Sequence, residues 1–342
     1  MEVRVSAVVN PALDAAAVPA PSGEALAFHR GLSGYAPTPV HRLDGVAEEL
    51  GLAAVLVKDE SARLGLPAFK ILGASWAIER TLRAAPATRT VVAASAGNHG
   101  YAVARAAAAR GLACRIYLPA RALAVRREAI ADAGAEVIVV DGPYEVAVAA
   151  AAAAAGEHGV ALIADVGEGG AAAWVIDGYA TLFEEAAAQA DCDLILVPVG
   201  VGSLAAAAAR HGARAGAAVV GVEPATAPCL SASLAAGTPT RVPTPGTVMA
   251  GLDCAEVSPA AWPTLLHGIA GTVAVTDAEA IAAARELAVA GLSIGESGAA
   301  PLAGLRVLLA SAGLRDRLAI GRHTRALLIA SEGITGNPPP HG

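Results

Sequence analysis

The sequence predicts an α/β fold of the doubly wound kind, a mainly parallel sheet covered by helices on both faces. Three observations predict it. Short apolar runs without polar alternation recur along the chain, which is how strands buried on both faces read. Helical patterns separate these runs, as in successive βαβ units. Several runs end in small-residue turns that open the next helix, the place where open α/β sheets bind ligands. A length of 342 residues suits two domains, or one large α/β unit with a subdomain. A chain of that size buries enough surface to need neither disulfides nor a structural metal.

Taken in order, residues 1–36 carry no clear periodic element. PTPVHRLDGVAEELG (37–51) reads as a turn and a short amphipathic helix, and AAVLVKDE (53–60) as a buried strand ending in charge. A helix is expected to open near Leu72-Gly73. Strand and helix then alternate: strand Val91–Ser95, helix 98–110, strand Ala113–Pro119, helix 122–133, strand Glu136–Val140, helix 144–157 and strand Ala161–Asp165. Helix 174–190, strand Asp193–Val199, helix 203–215 and strand Ala218–Val222 follow. The Pro-, Thr-, Ser- and Gly-rich stretch 228–250 reads as a long loop near the site. Helices over Ala278–Ala290 and Pro301–Ser311 and a last strand, Ala326–Ala330, complete the pattern.

Composition narrows the function classes. The net charge of -7 argues against nucleic acid as the main partner. Alanine inflates the 55% hydrophobic fraction, and no 18-residue strongly apolar run suggests a membrane span. The start, MEVRVSAVVNPALD, lacks a basic region followed by an apolar core, so no secretory signal is read. Cys114, Cys192, Cys229 and Cys254 are widely spaced, which fits free thiols in a reducing cytoplasm better than a disulfide framework or a zinc site. The chain has 22 arginines and only two lysines, Lys58 and Lys70, so chemistry that needs an amine has two candidates.

Four turns can carry chemistry. Lys70 follows Phe69 at the start of a helix, where desolvation and the positive helix end are expected to lower its amine pKa and make it a nucleophile and base. Lys58, beside Asp59 and Glu60, reads as an ion-paired structural lysine. Ser95-Ala96-Gly97-Asn98-His99-Gly100 follows a strand and opens a helix, so its glycines admit a ligand and its free N–H groups suit a carboxylate. The plainer reading there is an N-cap turn, with His99 as a packing residue. Gly200-Val201-Gly202-Ser203-Leu204-Ala205 makes a phosphate cradle after a strand. It equally fits the dinucleotide fingerprint, with Glu223 at the end of the next strand as the acidic partner, so a nicotinamide-dependent oxidoreductase stays open on spacing alone. Ser331-Glu332-Gly333 follows the last strand and aims a hydroxyl at the same crevice, unless Ser331 is a turn or cap residue. Glu296, in Gly295-Glu296-Ser297-Gly298, could wall a pocket or cap a helix.

In this order the four turns resemble the pyridoxal-phosphate enzymes of fold type II, the tryptophan-synthase-β-like group. The likeness narrows with PTPVHRLDGVAEELG, VKDESARLGLPAFKILGASWAI, DGYATLFEE, VMAGLDCAE, GESGA and SEG, which together look like diaminopropionate ammonia-lyase over about residues 35–337. The resemblance implies pyridoxal 5'-phosphate as cofactor, and no metal-ligand residues are read from the sequence. Lys70, with Phe69 beside it, would carry the cofactor as an imine and later act as the base at Cα. Asn98 would hydrogen-bond the phenolic oxygen. Gly200, Val201, Gly202, Ser203 and Leu204 would wrap the phosphate, and Ser331 would face the pyridine nitrogen. Ser95, Ala96, Gly97 and the amides around Asn98-His99 would hold the substrate carboxylate, and Asp165 would pair with the β-ammonium and help it leave. The fold implied is a large cofactor domain (1–84 and 173–342) with a small α/β domain (85–172) that closes on substrate. A cytoplasmic homodimer acting on a small amino acid is the family expectation. The reaction is α,β-elimination from L-2,3-diaminopropionate, or a close β-substituted L-amino acid, through an aminoacrylate to pyruvate and ammonia. Serine/threonine dehydratase-like chemistry is the alternative, and a cofactor-keeping protein without turnover is a remoter one. A serine hydroxyl does not stabilise a protonated pyridinium as a carboxylate does, which weakens the electron sink and favours quick loss of a β-leaving group.

Two departures stand out. Ala96 occupies a place where the ammonia-lyases carry aspartate and serine racemases serine, and alanine moves no proton. The expectation is turnover of the L-configured substrate only. The ending SEGITGNP puts Ile334 and Gly336 where polar residues are usual near the pyridine end.

Overall fold

The computed structural model describes residues 7–334. The reading of Gly336 lies outside the described residues. Among those residues the strands form two sheets. The larger contains β1 (Ala7–Val9), β2 (Val40–Arg42), β3 (Ala54–Asp59), β8 (Leu194–Pro198), β9 (Ala218–Pro224), β10 (Gly271–Val275) and β11 (Arg325–Ala330), in the spatial order β1-β10-β9-β8-β11-β3-β2. The smaller contains β4 (Thr90–Ala94), β5 (Ala113–Pro119), β6 (Glu136–Val140) and β7 (Val160–Leu162), in the order β6-β5-β4-β7. All pairings are parallel except β1 with β10 and β2 with β3, at the two edges of the larger sheet.

The strands with continuous apolar runs form where expected, because both faces are covered: Leu194–Pro198 is buried throughout and Ala54–Lys58 likewise. The short elements differ. The first 36 residues include β1 and the helix Ala25–Arg30, and the 228–250 loop begins with the helix Cys229–Ala236. Strand β10 and the helices Trp262–Gly268 and Ala312–Arg317 also lie where no element was read. Strands of three residues and helices of six to eight are too short to show a period. The expected strand Ala161–Asp165 is displaced to Val160–Leu162. Ile163 still donates its N–H to Val92, while its carbonyl accepts from His99 Nε2 at 2.9 Å, so Asp165 sits on the loop beyond the sheet.

The helix Lys70–Ala84 starts two residues earlier than expected and crosses the helix Ala171–Gln189 at two glycines. A Cβ on Gly73 would lie 2.6 Å from the Tyr179 ring, and one on Gly178 would lie 2.5 Å from the Leu72 carbonyl oxygen. That close crossing brings Tyr179 edge-on to Phe69, with ring centroids 4.7 Å apart, beside Lys70.

Beneath this crossing lies a wholly buried ionic cluster. Lys58 donates to the Thr38 carbonyl at 2.7 Å, Glu185 at 3.0 Å and Gln189 at 3.1 Å, one acceptor for each N–H of an ammonium. Arg63 bridges Glu60 and Glu185 with contacts of 2.6–2.8 Å. Charges so placed persist only because each is paired and hydrogen-bonded.

Candidate active site

A cavity of about 1050 Å³ opens where the carboxyl ends of both sheets meet. Phe69, Lys70, Ser95, Ala96, Gly97, Asn98, His99, Asp165, Gly200, Val201, Gly202, Ser203, Leu204 and Ser331 all line it. Four parallel strands deliver these residues: β4 leads to the Ser95 turn, β7 to Asp165, β8 to the Gly200 loop and β11 to Ser331. Such crevices are the ligand sites of open α/β sheets.

The Gly200 loop is shaped for an anion. Gly202 has φ +88, and a Cβ there would lie 2.6 Å from Leu265 Cδ1. A Cβ on Gly200 would meet the Gly251 carbonyl oxygen at 2.8 Å. Both positions demand glycine. The loop opens the helix Ser203–Ala215, whose first-turn N–H groups have no helical acceptor and face an anion favourably. Ser203 Oγ donates to the Asp165 carbonyl oxygen at 3.1 Å, which ties the cradle to the acidic loop.

In the second turn Gly97 is the N-cap of the helix Asn98–Ala109, and no side chain caps it. Ser95 Oγ accepts from the Gly97 N–H at 3.2 Å. A Cβ on Gly100 would collide with the Ser95 carbonyl oxygen at 2.0 Å, so only glycine lets the turn fold this tightly. His99 is buried, with Nδ1 3.8 Å from Asp165. Asn98 Nδ2 donates to Glu332 Oε2 at 2.5 Å.

Lys70 Nζ lies 3.0 Å from Asp165 Oδ2. The expectation of a lowered lysine pKa is corrected here. Burial does pull the amine down, but the neighbouring Tyr179 and Asp165 outweigh it and raise Lys70 above the usual range. Burial would raise the Asp165 carboxyl, yet His99 and Lys70 hold it well below the usual carboxylate range. The pair therefore stands ionised at neutral pH.

Ser331 is buried in the cavity wall, and its carbonyl accepts from the Phe69 N–H at 3.3 Å. Glu296 begins the helix Glu296–Ala310. Glu223, the acidic residue of the dinucleotide alternative, is fully buried and accepts from Leu230 N at 2.6 Å and from Ser231 N at 2.8 Å. It anchors the start of the helix Cys229–Ala236 and does not line the cavity, so its carboxylate is not available to a ribose and the nicotinamide reading loses its second element.

Sequence reasoning passed over Glu332, Tyr144, Tyr179 and Cys254 as site residues. All but Tyr179 line the cavity, and the Tyr179 ring centroid is 6.0 Å from Lys70 Nζ. The Tyr179 hydroxyl is a buried atom just behind the cavity wall, close to Lys70. Glu332 was within view, as the middle residue of the SEG triplet. The donor set suits pyridoxal phosphate: an amine, an anion cradle at a helix start, a side-chain amide and a hydroxyl converge on one space.

The comparisons agree with this geometry. A diaminopropionate ammonia-lyase of Escherichia coli K12 is 33% identical over 350 residues, covering 90% of this chain and 87% of that protein. The crystal structure of the Escherichia coli diaminopropionate ammonia-lyase in complex with an aminoacrylate–PLP azomethine reaction intermediate superposes with a TM-score of 0.83 at 31% identity. It covers 96% of this chain and 91% of that one. A biosynthetic L-threonine dehydratase of Escherichia coli K12 is 30% identical over 288 residues, 82% of this chain and 54% of that protein. The family model described as "Pyridoxal-phosphate dependent enzyme" matches residues 32–329, a span that holds three of the four turns and ends just before the Ser331 turn. With the amine, the cradle and nearly the whole chain in register, this protein belongs to the pyridoxal-phosphate-dependent enzyme family and has the fold type II architecture of its neighbours.

Proposed function

We propose that this protein eliminates the β-amino group of L-2,3-diaminopropionate, or the β-substituent of a close L-amino acid, as ammonia or its counterpart, and that water then replaces the α-nitrogen, which also leaves as ammonia, to give pyruvate. The observation that carries this is the Lys70–Asp165 pair, 3.0 Å apart on the cavity wall beside the phosphate cradle. When bound, pyridoxal phosphate supplies the electron sink for charge developing at Cα. Gly200–Leu204 hold its phosphate, Asn98 its phenolic edge and Ser331 its ring nitrogen. Ser95, Gly97 and the N–H groups around Asn98-His99 hold the substrate carboxylate, with Ala96 between them adding no proton-transfer group.

Asp165 answers to two cations. In the free protein it pairs with Lys70. A substrate's β-ammonium brings a second positive charge to the same carboxylate. Sharing Asp165 weakens the hold that keeps Lys70 protonated, and Lys70 becomes the base that takes the Cα proton. The β-ammonium, held by Asp165, leaves as ammonia. A neutral hydroxyl as leaving group would not engage Asp165 in this way, which favours diaminopropionate over serine. Lys70 as sole base at Cα makes the reaction specific for the L-form. Residues 85–172 form the part that closes on substrate. The four free cysteines fit a cytoplasmic setting, and the family expectation of a homodimer is kept.

The test is the visible absorption of the purified protein with pyridoxal phosphate, before and after L-2,3-diaminopropionate, with pyruvate assayed. A band that shifts, with pyruvate formed from the L-form and not the D-form, is expected. A band indifferent to this substrate but responsive to threonine would move the assignment to dehydratase chemistry, and brisk turnover of the D-form would end the single-base reading.

A further inference from the structure

The Asn98 amide has two ends of nearly equal size, and only one of them donates hydrogen bonds. A side chain that must present its NH2 to an oxygen needs a neighbour that excludes the flipped form. Glu332 is that neighbour. Its Oε2 accepts from Asn98 Nδ2 at 2.5 Å, and a carboxylate only accepts, so the flipped amide would set oxygen against oxygen. One N–H of Asn98 is thereby spent on Glu332, and the other remains for the cavity.

Glu332 is itself held on every side. It is 5% exposed. Its carbonyl accepts from the Gly295 N–H at 3.1 Å, its backbone bridges to Ala68, and the next residue, Gly333, donates its N–H to the Pro67 carbonyl at 2.9 Å. A Cβ on Gly251 would come within 3.6 Å of Oε2, so that backbone packs on the carboxylate. Burial, with Glu296 adding to it, raises the Glu332 carboxyl above its ordinary value, while the hydrogen bonds of Ser297 and Asn98 and the charge of Arg126 limit the rise and favour the ionised form. Through its backbone and its carboxylate together, Glu332 thus links three pieces of the site: the segment leading into Lys70, the start of the helix Glu296–Ala310, and the Asn98 turn at the end of β4. The last belongs to the smaller sheet, and the other two pack with the larger.

We propose that Glu332 is a positioning residue, which orients the Asn98 amide toward the cofactor's phenolic edge and couples the Asn98 turn to the segment carrying Lys70. The proposal rests on the contact between Asn98 and the cofactor given under Proposed function.

The test is titration of cofactor-free protein with pyridoxal 5'-phosphate, reading the dissociation constant and the position of the visible band. The proteins are wild type, Asn98→Ala, Glu332→Gln, the double variant, and Glu332→Asp, which keeps an acceptor-only carboxylate where glutamine offers both a donor and an acceptor. Each of the first two single changes is expected to weaken binding about tenfold. The double variant should bind no more weakly than Asn98→Ala, and Glu332→Asp should regain part of the loss and the wild-type band. Losses that multiply in the double variant, or wild-type affinity in Glu332→Gln, would overturn the role of Glu332 while leaving the Asn98 contact in place. Wild-type affinity and band in Asn98→Ala would overturn that contact, and the proposal with it.

Discussion

Both lysines of this chain stand 3.0 Å from a carboxylate, Lys58 from Glu185 and Lys70 from Asp165, yet they do opposite work. Lys58 has no exposed surface and an acceptor for each of its three N–H bonds. Its carboxylate is shared with Arg63, Tyr35 and the Thr38 N–H. Lys70 is 21% exposed, has one acceptor, and faces a cavity. Burial lowers the Lys58 amine, whereas at Lys70 the neighbours outweigh burial and raise it. Pair distance therefore does not separate a structural lysine from a reactive one. Saturation does: a fully satisfied ammonium has nothing to exchange, while a singly held one can give up its partner to an incoming cation.

The comparison breaks most directly on Lys70→Ala. Turnover should fall by at least about 1000-fold and the visible band of the lysine-bound cofactor should vanish. Survival of that band would mean that Lys58 carries the cofactor and that the two roles are reversed. Lys58→Met should do the converse. Removing one partner from the buried cluster should cost about 3 to 5 kcal/mol of stability in denaturant titration, while turnover per folded molecule stays near wild type. A stability loss under about 1 kcal/mol would show that the cluster is not held together as its geometry indicates.

A third buried carboxylate sharpens the contrast, because Glu223 has hydrogen bonds but no lysine. Burial pushes it up to about 7 from an ordinary 4.5. The folded form therefore binds a proton more tightly than the unfolded form. Its contribution is complete below pH 4.5 and is lost as the pH rises through 7, a change of about 3 kcal/mol. Stability measured from pH 5 to 8 should show this fall, and Glu223→Gln should flatten it. An unchanged slope in the variant would assign the pH dependence elsewhere.

The smallest effect concerns selectivity. Asp165→Asn keeps the shape and removes the charge, so turnover of diaminopropionate should fall by about 30-fold more than turnover of serine. Equal losses on both substrates would remove Asp165 from recognition of the β-ammonium and leave it as a partner of Lys70 alone.

The alternation of strand and helix was legible because a strand buried on both faces leaves an apolar run and a helix a period, both written in neighbouring residues. Ala113–Pro119 and Glu136–Val140 form as read for that reason. β1 and β2, three residues each, were not legible, since their strand conformation depends on pairing with distant β10 and β3. The site turns were legible as turns: glycine at 100 and 202 is demanded by local geometry, and the sequence shows it directly.

By itself the sequence determined the fold class, the four turns, and the short list of two amines from which one had to be chosen. Tertiary structure decided what each charged group meets. Asp165 reaches Lys70 across 95 residues and Glu332 reaches Asn98 across 234, both through sheet order rather than through local spacing. It also decided the direction of the Lys70 pKa, which burial alone would have lowered and which the nearby carboxylate and phenol reverse. Local patterns set which residues become strand, helix or turn, but the charge of a side chain is set by whatever surrounds it in space, and that depends on contacts remote in the chain.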